Sequence, residues 1–170
     1  MTNAGPATLL MLSGGVRSLA VLIDLLENTD DQILTHHVRL SVEDYSNQAD
    51  LARCQQIIDY CSFNYRPLSL TQSKISCPSL PLYNQILPGI AYEASLAGRT
   101  YSDELQVPLE RCIMAGEAAS NEAPLTQHVR NCFLSGYYSL ETPVFERVYL
   151  TREQAESAIP ERLLQMLDQA

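Results

Sequence analysis

The chain has no tryptophan, only three phenylalanines and a single lysine, Lys74. Arginine makes up the rest of its 11 basic side chains, which face 20 acidic ones and leave a formal charge of −9. That shortage of positive charge excludes a protein that grips nucleic-acid phosphates without regard to sequence, which needs a basic footprint. It also excludes docking on an anionic membrane surface through a polybasic segment. No apolar run approaches the roughly 18 residues that a membrane-spanning helix requires. The stretch from Met1 to Leu12 lacks the basic start and long apolar middle of a secretory signal, so a cytoplasmic location is expected. Cys54, Cys61, Cys77, Cys112 and Cys132 contain no C-x-x-C pair. An odd and irregular set fits neither a disulfide scaffold nor a zinc framework, and reads as buried, reduced thiols. A Walker loop, a dinucleotide-binding glycine fingerprint and a zincin motif are also missing.

What is present is the composition of an ordinary globular domain. In 170 residues, 46% are hydrophobic and 18% charged, enough for one domain with its own core. Ala7 to Leu12 (ATLLML) is a short apolar run of central-strand type, broken by Ser13-Gly14-Gly15. Leu19, Leu22, Ile23 and Leu26 then fall at helical spacing. After a polar turn, Ile33 to Leu40 reads as a second strand, and Ala49 to Cys61 as a second helix ending near Phe63. Tyr65 to Leu70 is a candidate third strand, which Pro67 favours for a sheet edge. Thr71 to Pro81 reads as a polar loop. Leu82 to Ala97 is weakly helical, interrupted at Pro88-Gly89, and Gly98 to Pro108 reads as a further loop. Cys112 to Ala115 is expected as a fourth strand, Pro124 to Leu140 as a helix and Val144 to Leu150 as extended. Thr151-Arg-Glu-Gln154 has the form of a capping box, and Pro160 suits the first turn of a last helix through Met166. Such alternation predicts a single α/β domain over residues 1–170 with parallel strands and right-handed crossovers.

The most informative stretch is Leu10-Met-Leu-Ser-Gly-Gly-Val-Arg-Ser-Leu19. A strand here delivers a serine and two glycines straight to the start of an amphipathic helix. Glycine permits positive φ and a close backbone approach, and the free N–H groups of a helix start favour an anion. Ser13 and Ser18 can add hydroxyl donors. The bland alternative is a glycine turn that joins strand to helix and binds nothing.

SGGVRS resembles the S-G-G-x-D-S pyrophosphate loop of the PP-loop ATP pyrophosphatases, which adenylate substrates by splitting ATP into AMP and pyrophosphate. The layout is most similar to 7-cyano-7-deazaguanine synthase and its smaller relatives, several of them phage-encoded. Pro88-Gly89 falls where that family has P-G-R-N, IMAGE (Ile113 to Glu117) where it has its fourth strand, and Thr142-Pro143 with Thr151-Arg152-Glu153 where it has T-P-L…L-T-K-x-E. The resemblance implies a Rossmann-like, three-layer sandwich of the adenine nucleotide alpha hydrolase type, its sheet mostly parallel with about five strands. It implies ATP and Mg²⁺, a small heterocyclic substrate in deazapurine or nucleic-acid-modification metabolism, and a homodimer. It places a phage-encoded copy in the host cytoplasm. Ser13, Gly14, Gly15, Val16, Arg17, Ser18, His36 and Gly116 would then contact the nucleotide, with Arg17, Glu117 and Arg130 as catalytic candidates.

Three departures are plain. Arg17 stands where the family has the aspartate that organises magnesium, and a guanidinium cannot ligate a metal. Ile90-Ala91 replace R-N, and the family's four-cysteine zinc cluster is missing, so no zinc is expected. They motivate a second reading, a catalytically reduced relative that binds nucleotide or serves as a subunit. A third is an interaction protein that uses its acidic surface. His36 and His37 are neighbours on a strand and must face opposite ways, which argues against their sharing one metal. Arg39 reads as a surface pair, Glu117 as a metal or substrate-amine contact or a solvated loop acid, and Tyr92, Tyr137 and Tyr138 as core or interface residues.

Overall fold

The structure is a computed structural model, and it describes residues 5–42, 45–46, 48–79, 83–118, 125–137 and 142–169. The strands are β1 (Ala7–Met11), β2 (Gln32–Val42), β3 (Tyr45–Ser46), β4 (Leu70–Cys77), β5 (Leu109–Glu117) and β6 (Val144–Leu150). The helices are α1 (Val16–Asn28), α2 (Gln48–Asn64), α3 (Tyr83–Leu105), α4 (Thr126–Gly136), α5 (Arg152–Ser157) and α6 (Glu161–Asp168). Five strands run parallel in the spatial order β4-β2-β1-β5-β6, and the two-residue β3 turns back antiparallel on the end of β2. This is the expected Rossmann-like, three-layer α/β architecture.

β1 is the centre from which the sheet grows both ways, and each of its residues is buried, as a parallel strand covered on both faces must be. Alternation sends Leu10 and Leu12 to one layer and Ala7, Leu9 and Met11 to the other. The first layer holds α1, α2, α5 and α6, knit by Leu19, Leu22, Ile57, Cys61 and Leu163. The second holds α3 and α4, with Leu87, Ala94, Val129 and Phe133 against the sheet. Crossovers β1-α1-β2 and β2-α2-β4 build outward on one side. The chain then returns through α3 to β5 on the other side of β1, so α3 occupies the opposite face, as right-handed connections require. At the amino end of the sheet, Thr8 donates to the buried Asp31 at 2.6 Å, and Arg111 donates to both, at 3.0 and 2.8 Å.

Several expectations are corrected. β4 runs from Leu70 to Cys77, later than Tyr65 to Leu70, through residues read as a loop. Its pattern is polar because β4 pairs with β2 alone among the described residues, leaving Gln72, Lys74 and Ser76 exposed on one side. α3 continues through Pro88-Gly89 and Gly98 to Leu105, where an interruption and then a loop were expected. Pro88 lies in the second turn of the helix and removes one intrahelical bond, and a Cβ on Gly89 would make only ordinary contact with Ile75, at 3.4 Å. Among the cysteines, Cys54, Cys61 and Cys112 are buried, but Cys77 and Cys132 are only partly so. The capping box is present in full, the Thr151 side chain accepting from Gln154 N and the Gln154 side chain from Thr151 N. Leu82, Pro124 and Tyr138 to Leu140 lie outside the described residues.

The tightest contact between the second-layer helices is at Gly136. A Cβ there would lie 1.9 Å from Ser95 Oγ and 3.1 Å from Ser95 Cβ. Ser95 is fully buried and donates to Tyr92 O at 2.6 Å, so its hydroxyl cannot swing away without losing that bond. Gly136→Ala is expected to destabilise the fold by about 1–3 kcal/mol through overpacking. Urea denaturation checks this as a lower midpoint at unchanged slope.

Candidate functional site

β1 ends at Met11, level with His36 on one neighbour and Met114 on the other. β2 runs on to Val42 and β5 to Glu117, so a notch opens above the end of β1 between two longer strands. This is the carboxyl edge of the sheet at its point of reversed connection, where open α/β sheets bind ligands. The notch encloses a cavity of about 250 Å³. Met11, Val38, Leu87 and Met114 give it apolar walls, while Ser13, Ser18, His37, Asp50 and Arg147 bring polar groups to it.

Ser13 and Ser18 line the cavity on the loop side, whereas Gly14, Gly15, Val16, Arg17 and Gly116 lie outside its lining. Gly14 has φ +86°, and a Cβ there would stand 2.7 Å from the Asp50 carbonyl oxygen at the start of α2. Both the dihedral and the space demand glycine. Ser18 Oγ lies 3.2 Å from its acceptor Gly15 O and 3.0 Å from Ser13 Oγ. Gly15 N in turn donates to Ser13 Oγ at 3.2 Å. These bonds shape the loop. The helix start itself is open: α1 has no side-chain cap and no acid in its first turn. The N–H groups of Val16, Arg17 and Ser18 have no intrahelical acceptor at that position, which makes the turn receptive to an anion.

Arg17 does not reach across this opening. Its Nε donates to Leu150 O at 2.9 Å, and its Nη2 lies 3.4 Å from Glu117 Oε1. The structure thus brings Arg17 and Glu117 together, as a pair that ties the start of α1 to the ends of β5 and β6. Gly116 precedes Glu117 in β5, level with Tyr149. Arg130 is exposed on α4, across the sheet from α1, and does not line the notch. The arginine that does is Arg147 of β6, which donates to Ala115 O at 3.1 Å and stacks over Tyr149. Sequence reading passed over it; the one signal was an adjacent charged pair, Glu146-Arg147, inside an otherwise apolar strand, VFERVYL. Asp50 was missed as well, and it is paired with Arg53. Arg39 donates to Gln48 Oε1 at 3.3 Å.

The two histidines point to opposite faces and have opposite hydrogen-bonding states. His36 sits between two hydroxyls, Thr71 Oγ1 at 2.8 Å and Ser73 Oγ at 2.9 Å, so both ring nitrogens are satisfied. Burial, and secondarily the charge of His37, pushes its pKa down to about 4. His37 places Nδ1 2.7 Å from Leu12 O, with Cys54 Sγ 3.4 Å from the same nitrogen. Its Nε2 is buried and has no partner among the described residues. Burial lowers the pKa of His37 too, against the opposing pull of the Leu12 carbonyl and Asp50. Burial foremost, with Asp50, raises the Cys54 thiol to about 12, which keeps it in the protonated form at neutral pH.

A magnesium ion held by protein side chains does not fit this site. Arg17 brings a guanidinium and no carboxylate, Asp50 and Glu117 are each paired with an arginine, and no three His, Cys, Asp or Glu side chains converge among the described residues. Among those residues no helix is long and apolar enough to cross a membrane. Neither a protein-family model nor any curated protein matches the sequence.

The two states of His36 give a pH prediction. Its folded pKa of about 4 lies below the ordinary 6.5, so the unfolded chain takes up a proton first as pH falls. Stability is therefore whole above about pH 6.5, declines towards pH 4 and then levels off with respect to this group. The loss is on the order of 3 kcal/mol at 1.36 kcal/mol per unit. Denaturant unfolding between pH 4 and 7.5 is expected to be flatter for His36→Gln by that amount. An identical slope in the variant would remove His36 as the cause.

Proposed function

We propose that the chain is a divergent PP-loop protein that holds an adenine nucleotide in the notch above β1. The nucleotide's phosphates lie on the backbone N–H groups of Val16, Arg17 and Ser18. Its reaction is adenylation of a carboxylate-bearing heterocycle of the 7-deazapurine kind. A substrate carboxylate oxygen attacks the α-phosphorus of ATP, the bond to the bridging oxygen breaks, and pyrophosphate leaves with the electron pair. The observation that carries the reading is the uncapped start of α1, placed by the Gly14 turn at the sheet's switch point and facing a cavity with polar and apolar walls. Fixed N–H dipoles suit a role in steadying charge on the departing pyrophosphate. Arg147 is better placed than Arg17 to add a guanidinium, because it lines the notch while Arg17 is held on Leu150 and Glu117.

A second reading is favoured by that same Arg17–Glu117 pair. The charge that replaces the family's aspartate is absorbed in holding the fold together, which suits a relative that binds nucleotide without turning it over.

Gly15→Asp separates binding from folding. Gly15 has φ −91°, and a Cβ there meets only Ser13 Oγ at an ordinary 3.4 Å. Aspartate is a good N-cap, so thermal stability is expected to hold or rise slightly. Its carboxylate, however, occupies the anion position, and affinity for ATP and AMP is expected to fall at least tenfold (about 1.4 kcal/mol) in calorimetric titration. AMP formation from ATP with candidate acids then divides the readings. Turnover supports the enzyme, tight binding without AMP supports the reduced relative, and no nucleotide binding by the wild type overturns both.

A further inference from the structure

We infer that His37 is the specificity-determining residue of the notch: its Nε2 accepts a hydrogen bond from the bound ligand. The site therefore takes a ligand that presents an N–H or O–H there and rejects an isostere that presents a lone pair. The inference deepens the nucleotide reading and rests on it.

His37 is only 2% exposed, and it lines the cavity on the α2 side of β2. Its Nδ1 lies 2.7 Å from Leu12 O. A carbonyl oxygen can only accept, so Nδ1 carries the proton. In the neutral ring, which burial favours, Nε2 is then a bare acceptor. Among the described residues it is the buried side-chain nitrogen or oxygen left with no partner. Cys54 does not supply one, because its sulfur sits on the Nδ1 side at 3.4 Å. His36, one residue earlier, also lines the cavity, but there each ring nitrogen has a hydroxyl partner. Buried acceptors are satisfied in stable proteins by protein, water or ligand. His37 lines the cavity at the end of the strand where open sheets bind ligands, so a bound ligand can bring that donor.

An adenine nucleotide carries two kinds of suitable donor, the exocyclic amine of the base and the hydroxyls of the ribose, and the test distinguishes them. Wild-type protein is titrated calorimetrically with AMP, with the inosine and purine riboside monophosphates, and with the 2′-deoxy and 3′-deoxy forms of AMP. The analogue that lacks the donor facing Nε2 is expected to bind about ten- to a hundredfold more weakly. That difference is expected to vanish in His37→Phe, which keeps a ring and removes the acceptor. Imidazole ¹⁵N NMR of the wild type is the second readout, and it does not depend on whether the variant folds. The free protein is expected to show a protonated Nδ1 and an unprotonated Nε2 that shifts when AMP is added. AMP binding with no response at Nε2, or a free protein protonated at Nε2, overturns the inference and leaves the nucleotide reading standing. If AMP does not bind, the nucleotide reading falls, and adenine, ribose and phenol serve as small donor probes. A response of Nε2 to any of them keeps the acceptor role, and silence to all overturns it.

Discussion

Gly14 can be nothing but glycine, and the rest of the site depends on that. At φ +86° the chain turns out of β1, and the space that a side chain would fill is taken by the Asp50 carbonyl of α2. The two constraints act together. The turn stops β1 at Met11 while its neighbours continue, and the close approach brings the start of α2 against the start of α1. A notch, an uncapped helix start and the polar wall of His37 and Asp50 all follow from one residue without a side chain. Ser13 and Ser18 then fix the loop with their own hydrogen bonds, so the N–H groups of the first turn are presented without further ordering.

The charges are arranged with similar economy. In a chain with so few cations, several of the arginines in the described structure are engaged in holding elements together. Arg66 donates to Leu25, Thr29 and Asp31 carbonyls and closes the end of α1. Arg111 joins β1, β5 and Asp31, and Arg17 joins α1 to β6. Only Arg147 brings a guanidinium to the notch. The Arg17–Glu117 contact is half-exposed and contributes little by charge alone. The bond from Arg17 to the Leu150 carbonyl matters more, since it fixes where α1 begins relative to the ends of β5 and β6.

Elements with strong periodicity were legible in the sequence. ATLLML, the α1 stripe and the Thr151 capping box carry local signals that tertiary structure had no reason to override. The strand LTQSKISC was not legible, because an edge strand exposed on one side looks like a polar loop when burial is unknown. α3 was misread at Pro88-Gly89 and Gly98 for a related reason. Its packing against β2, β5 and α4 sustains a helix whose local propensities are poor. The glycine loop could be placed in advance since strand, glycines and helix are contiguous. The other wall of the site could not, because Asp50, Arg147 and His37 come from three separate elements that only the sheet order brings together.

The histidine pair shows what a sequence withholds even when the fold is read correctly. Alternation along β2 establishes that His36 and His37 face different layers, but says nothing of what each face offers. On the α3 face, β4 supplies Thr71 and Ser73 in register, and the imidazole between them is complete. On the α2 face the ring meets a backbone carbonyl and a thiol at one nitrogen and nothing at the other. The two rings are buried alike and both titrate low for the same cause, so neither burial nor pKa separates them. Hydrogen-bond completeness does. A satisfied buried histidine stabilises its own surroundings, whereas an unsatisfied one beside a cavity costs stability that a bound donor restores. That cost is concentrated at the carboxyl edge of the sheet, which is where a binding site, and not a core, is expected to keep it.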